Sequence, residues 1–203
     1  VKPYIGEIPM VIVNRTFDVD APCINIDNED AACQAVRCLT GNGHRKIALY
    51  INDKDRQYNR ERLAGALKAL GECGIEDYEK YIVRDVESED DAYYKTLELM
   101  RQEERPTGIF MFNDFMAYGV YRGITKSGLK IPDDISVVGF DDIPQVKYLD
   151  PPLTTLRHSL ADTAGIIFEQ LMEQIKTQTC AHKSQTYFKG RLIERESVKN
   201  LIS

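Results

Sequence analysis

A repeated change of period constrains this chain more than anything else in it. Short β-branched or aromatic runs alternate with longer segments whose apolar residues return every three or four positions. A strand buried on both faces reads as an unbroken apolar run, whereas an amphipathic helix returns to one face every 3.6 residues. Parallel strands need a long crossover between them, usually a helix, so this alternation predicts an α/β fold with parallel sheets flanked by helices. Strands are expected at 10–13, 23–26, 46–51, 81–83, 108–112 and 135–140, with a last extended segment at 185–193. Between them, Asp27-Asn28-Glu29-Asp30 gives a cap and an acidic first turn to a helix that Gly41 and Gly43 stop. Further helical faces are marked by Leu63, Ala66, Leu67 and Leu70, by Tyr93, Thr96, Leu97 and Met100, and by Ala117, Val120, Tyr121 and Ile124. A long helix opened by a Ser159–Asp162 capping pattern is expected to turn Ala164, Phe168, Leu171 and Ile175 inward.

A chain of 203 residues has room for one large domain or two small lobes. Its formal charge of −6 makes it a poor binder of polyanions, since Lys and Arg supply that affinity by neutralising phosphates. These residues alone are therefore not expected to grip DNA or anionic lipid. The five cysteines are odd in number and lack zinc spacing, and are read as reduced thiols of a cytoplasmic protein. No apolar run is long enough to span a bilayer. No phosphate loop, nucleophile elbow or histidine metal motif occurs, so neither an enzyme, a cofactor nor a metal site is expected.

In open parallel sheets ligands bind beyond the carboxyl ends of the strands. Those positions carry Asn52-Asp53-Lys54 with Arg56, Tyr58 and Arg62 close behind, then Arg84-Asp85, Asn113-Asp114 and Asp141-Asp142. Such amide, carboxylate and guanidinium groups can hydrogen-bond a small polar ligand. Plainer roles compete with this one. Asp114 could cap the next helix and Asn113 could form the turn. Arg62 could pair with Glu61 or Asp53, or reach water.

Several stretches, taken in order, resemble the effector-binding domain of LacI-type transcription regulators, the lactose and galactose repressor family. They include Ile24-Asn25-Ile26-Asp27-Asn28, Gly43-His44-Arg45-Lys46-Ile47-Ala48, Arg62-Leu63-Ala64-Gly65 and Phe112-Asn113-Asp114-Phe115-Met116-Ala117. Gly128-Leu129-Lys130-Ile131-Pro132-Asp133-Asp134-Ile135, Val138-Gly139-Phe140-Asp141 and Arg191-Leu192-Ile193-Glu194-Arg195-Glu196-Ser197 extend the set. The resemblance implies a two-lobe, periplasmic-binding-protein-like fold with three crossovers and an effector held in the cleft. It assigns 1–51 and 157–185 to a partial N-terminal lobe, and 52–156 and 186–203 to a C-terminal lobe. It implies effector contacts at Asn14, Arg56, Tyr58, Arg62, Asn113 and Asp141.

The implied effector is a sugar or sugar phosphate, with nucleobases also used in the family, and the implied assembly is a homodimer. DNA would be bound only through a helix-turn-helix headpiece outside these residues, and no membrane is involved. An effector would change the lobe angle and so the affinity for operator DNA. With the first strand–helix units of the N-terminal lobe missing, its remaining face should be apolar and open. Phe115, Met116 and Tyr118 suit a dimer surface, although Phe115 and Met116 could equally pack under a neighbouring loop. A periplasmic sugar-binding protein of a transporter shares the architecture and is the alternative reading.

Overall fold

The structure is a computed structural model that describes residues 4–14, 20–52, 56–158, 160–180 and 182–202, with the backbone alone at 160–162. The chain divides into a smaller unit, Val1–Asp27 with His158–Gly190, and a larger one, Asn28–Arg157 with Arg191–Ser203. It passes from one to the other at three places.

The larger unit is built on β3 (Ile47–Tyr50), β4 (Ile82–Val83), β5 (Gly108–Met111), β6 (Ser136–Phe140), β7 (Thr154–Arg157) and β9 (Arg191–Ile193), in the order β4-β3-β5-β6-β7-β9. All pairs are parallel except β7–β9. The unbroken apolar strands follow from burial on both faces. Ile47 and Leu49 point to the side covered by α1 (Asn28–Gly41) and α2 (Gln57–Glu72), where Ala31, Val36, Leu39, Ala66 and Leu70 pack with Phe110 and Phe140. Ala48 and Tyr50 point to the other side, against α3 (Glu89–Met100) and α4 (Ala117–Lys126), with Ala92, Met111, Val120 and Val137. Ser88 and Asp91 close a capping box on α3, so the acidic stretch at 87–91 is a helix start.

The smaller unit holds β1 (Ile12–Val13), β2 (Pro22–Ile26) and β8 (Ser184–Phe188), parallel and in the order β1-β2-β8, together with α5 (Leu160–Thr177). Its exposed apolar side chains include Tyr4, Ile8, Val13, Phe168, Ile175 and Tyr187.

Three expectations need correction, and one strand was not expected at all. The first boundary between units falls after Asp27 rather than after residue 51, because α1 packs on α2 and β3 is hydrogen-bonded between β4 and β5. The extended segment 185–193 is two strands in different sheets, β8 pairing with β2 and β9 with β7, so 186–190 stays with the smaller unit. On α5, Phe168 and Ile175 are 64% and 50% exposed, and Ala164 is exposed as well. Gln174 is buried instead, its amide exchanging hydrogen bonds of 3.1 Å with both the N–H and the carbonyl of Met10. Finally, β7 has no apolar run to announce it. Its buried Thr154 and Thr155 spend their hydroxyls on the Arg195 amide and the Asp114 carboxylate. Ser159 lies outside the described residues.

Among the described residues no helix is long and apolar enough to cross a membrane, and no group of three potential metal ligands occurs.

Candidate functional site

From β3 the chain steps outward to β4 and then back across to β5, so the strand order reverses between β3 and β5. At such a switch point the loops leave in opposite directions and open a crevice at the carboxyl edge. Arg62, near the start of α2, lies at this edge and is 8% exposed. Its Nε donates to Asn28 Oδ1 at 2.9 Å, and its Nη1 donates to the carbonyl of Phe112, just past the end of β5. Nη2 stands 3.7 Å from Asp141 Oδ1, just past the end of β6. The guanidinium carbon lies 3.6 Å from the centroid of the Phe140 ring and 5.3 Å from that of Tyr58. Burial pushes the guanidinium below its usual range, and the Asp141 carboxylate works in the opposite direction. A planar, always-charged fork held between an aromatic ring and a carboxylate suits a polar or anionic ligand.

Local structure explains how Arg62 comes to be there. Gly65, one turn later, lets α2 approach α1 so closely that an added Cβ would stand 2.0 Å from the Glu29 carbonyl oxygen. That approach delivers Asn28, the first residue of α1, to Arg62. The Asn28 amide also donates to Glu61 Oε2 at 3.0 Å, and Gln57 holds the other Glu61 oxygen at 2.7 Å.

Of the residues singled out in the sequence, Arg62, Tyr58 and Asp141 come together. Arg56 is exposed, with Nη1 donating to the Tyr58 hydroxyl at 2.9 Å and the guanidinium 5.8 Å from that ring. Asn113 is half-buried, and its side chain accepts from the Met116 N–H at 3.3 Å, capping the short 3-10 turn Asp114–Met116. Asp114 is therefore not the cap; it is fully buried. Met116 is 2% exposed and belongs to the core, which removes it from any partner surface, while Phe115 is 68% exposed and Tyr118 half-buried. The backbone turn through the 3-10 segment sends one of these adjacent side chains inward and the other out.

Arg84 and Asp85 are exposed in a turn with φ 53° at Asp85, which returns the chain so that Val86 N–H bonds the Ile51 carbonyl. Asn14 belongs to the smaller unit, exposed at the end of β1 with φ 56°. Asp53 and Lys54 lie outside the described residues. Sequence reasoning missed Asn28 and Phe140 as partners of Arg62. Both stood inside the quoted motifs, but Asn28 reads equally well as a helix start.

This edge is that of a known architecture: residues 36–198 match the periplasmic binding protein-like domain. The chain belongs to that family. Within it, the kinship is with LacI-type regulators. The chain is 34% identical over 198 residues to the HTH-type transcriptional repressor PurR of Vibrio atlanticus, an alignment that covers 97% of this chain and 59% of that protein. The crystal structure of a LacI-family regulatory protein from Chloroflexus aggregans superposes with a TM-score of 0.85 at 32% identity, covering 94% of this chain and 68% of that one. A LacI-family regulator from Enterococcus faecium with bound ribose superposes with a TM-score of 0.81 at 25% identity, covering 95% and 71%. The periplasmic-binding-protein-like chain described here thus spans 59% of the length of the curated repressor it matches.

Proposed function

We propose that this chain is the effector-sensing part of a LacI-type transcription regulator. The observation that carries the reading is the pairing of buried Arg62 with half-buried Asp141 at the carboxyl edge of the larger sheet, where its strand order reverses. Arg62 and Asp141 hold the effector's polar groups, Tyr58 and Arg56 border it, and Asn113 contributes orientation. The effector is a sugar or sugar phosphate; the ribose held by the Enterococcus faecium protein supports that class. An effector shifts the regulator between two states only by its differential affinity for them.

DNA is contacted through a helix-turn-helix segment of the kind for which the Vibrio repressor is named, in agreement with the −6 charge of these residues. The regulator is non-enzymatic, cytoplasmic and a homodimer, with the exposed Phe115 and the half-buried Tyr118 on its partner surface. The test is a thermal-shift screen with D-ribose, other pentoses and hexoses, their phosphates and nucleobases. A true effector at a hundred times its Kd stabilises the native state by ~2.7 kcal/mol. Arg62→Ala should abolish that shift. A screen without any stabilising compound, or a variant that responds like the parent, refutes the assignment.

A further inference from the structure

Asp114 lies beneath the turn that presents Asp141. Its carboxylate occupies the space left by a missing side chain in β6: a Cβ at Gly139 would stand 2.1 Å from Asp114 Oδ1. Oδ1 accepts from the Thr155 hydroxyl at 2.8 Å, and Oδ2 accepts from the backbone N–H of Ile143 at 3.1 Å. Ile143 closes the turn Asp141-Asp142, in which both residues take left-handed φ values of 112° and 52°. Such values are costly for residues other than glycine, so the bonds around the turn have to impose them. Asp141 N–H donates to the Leu156 carbonyl at 2.8 Å, and Asp142 is held by Arg157 and, at 2.7 Å, by Arg195. Asp114 holds the far end of the turn at Ile143. The charged and titratable groups that act on it or feel it are Arg62 from α2, Asp141 from the turn and Tyr121 from α4.

We propose that Asp114 is a positioning residue that links proton uptake to the Arg62–Asp141 pair, so that effector affinity at this site is proton-linked. The proposal rests on the reading of that pair as the effector site. Burial pushes the Asp114 carboxyl up to about 7, with the Asp141 charge adding to the rise while Thr155 and the amides of Ile143 and Phe140 oppose it. Below that pH the pair contains the one carboxylate, Asp141, facing Arg62. Above it a second negative charge forms beneath the turn, repelling Asp141 and competing for the guanidinium.

The test uses the full chain without effector. The Arg62 Nε–H, donated to Asn28, is followed by 15N–1H NMR from about pH 5.5 to about pH 8.5, a span that brackets the inflection. The wild-type resonance should move with a single inflection near 7, and Asp114→Asn should remove it. Thr155→Val deletes the hydroxyl that favours the ionised form, and should raise the midpoint by about half a pH unit or more. A wild-type signal with no inflection, or an inflection unchanged in either variant, overturns the proposal. Should Asp114→Asn fail to fold by circular dichroism, the displacement in Thr155→Val decides alone. Since no effector is present, this outcome is read separately from the thermal-shift screen.

Discussion

Replacing Gly65 with Ala tests whether close helix approach builds the candidate site. The new Cβ would stand 2.0 Å from the Glu29 carbonyl oxygen, and that oxygen is backbone, with no rotamer to escape into. Carbon–oxygen contacts settle at about 3.3 Å, so α2 has to withdraw from α1 by roughly 1.3 Å. Overpacking of this kind costs ~1–3 kcal/mol, against which alanine's higher helix propensity returns up to ~1 kcal/mol. The expected net loss is on the order of 1–2 kcal/mol. It should appear as a lower urea midpoint with an unchanged slope, followed by far-ultraviolet circular dichroism. Gly71, near the end of the same helix, provides a control of opposite sign. Nothing lies within 4 Å of a Cβ there, so Gly71→Ala should gain a few tenths to ~1 kcal/mol. Because Arg62 lies one turn before Gly65, the withdrawal also draws its guanidinium away from Asn28 and the Phe112 carbonyl, and effector-induced stabilisation should weaken with it. A Gly65→Ala protein as stable as its parent would refute the reasoning.

Arg62→Lys keeps the charge but not the fork, leaving the Asn28 or Phe112 acceptor without its donor. Urea unfolding without effector should show a loss of ~1–3 kcal/mol, and an unchanged midpoint would mean that these bonds contribute nothing. The Asp114 carboxyl titrates near 7 in the native state against 3.8 as its ordinary value. The native state therefore holds this proton more tightly than the unfolded chain, so the group's contribution is full below about pH 4 and is lost as pH rises through 7. Across that window the loss approaches ~4 kcal/mol. Denaturation at about pH 5 and about pH 8 should give a wild-type decline that Asp114→Asn lacks. Equal declines in the two proteins would show that another group is responsible.

The core strands of the larger sheet were legible because β3, β5 and β6 are buried on both faces and carry unbroken apolar runs. β7 was not, since its buried threonines depend on Asp114 and Arg195, partners forty residues or so distant that no local pattern reveals. Arg62 and Asp141 could be located because strand ends in a parallel sheet share one edge. The role of Asn28 depends on how α1 lies against α2, and periodicity does not encode that. The choice between Phe115 and Met116 likewise turned on a single 3-10 turn preceding α4. On α5 the apolar stripe was expected to face inward, but Phe168 and Ile175 are exposed and Gln174, able to pair with both the donor and the acceptor of Met10, took the buried side.

The antiparallel strand β9 comes from residues 191–193 yet completes a sheet whose other members all lie before residue 158. Ser197 then ties the backbone of β6 to that of β7, donating to the Val137 carbonyl and accepting from the Thr154 N–H. During synthesis, the first five strands of this sheet leave the ribosome well before the sixth, with the β7 flank bare of its neighbour in the interval. An unpaired flank of that kind is where nascent chains stick to one another. The final fold of the larger unit is thus set only once β9 has been translated, and a product shortened before β9 should be recovered mainly as aggregate.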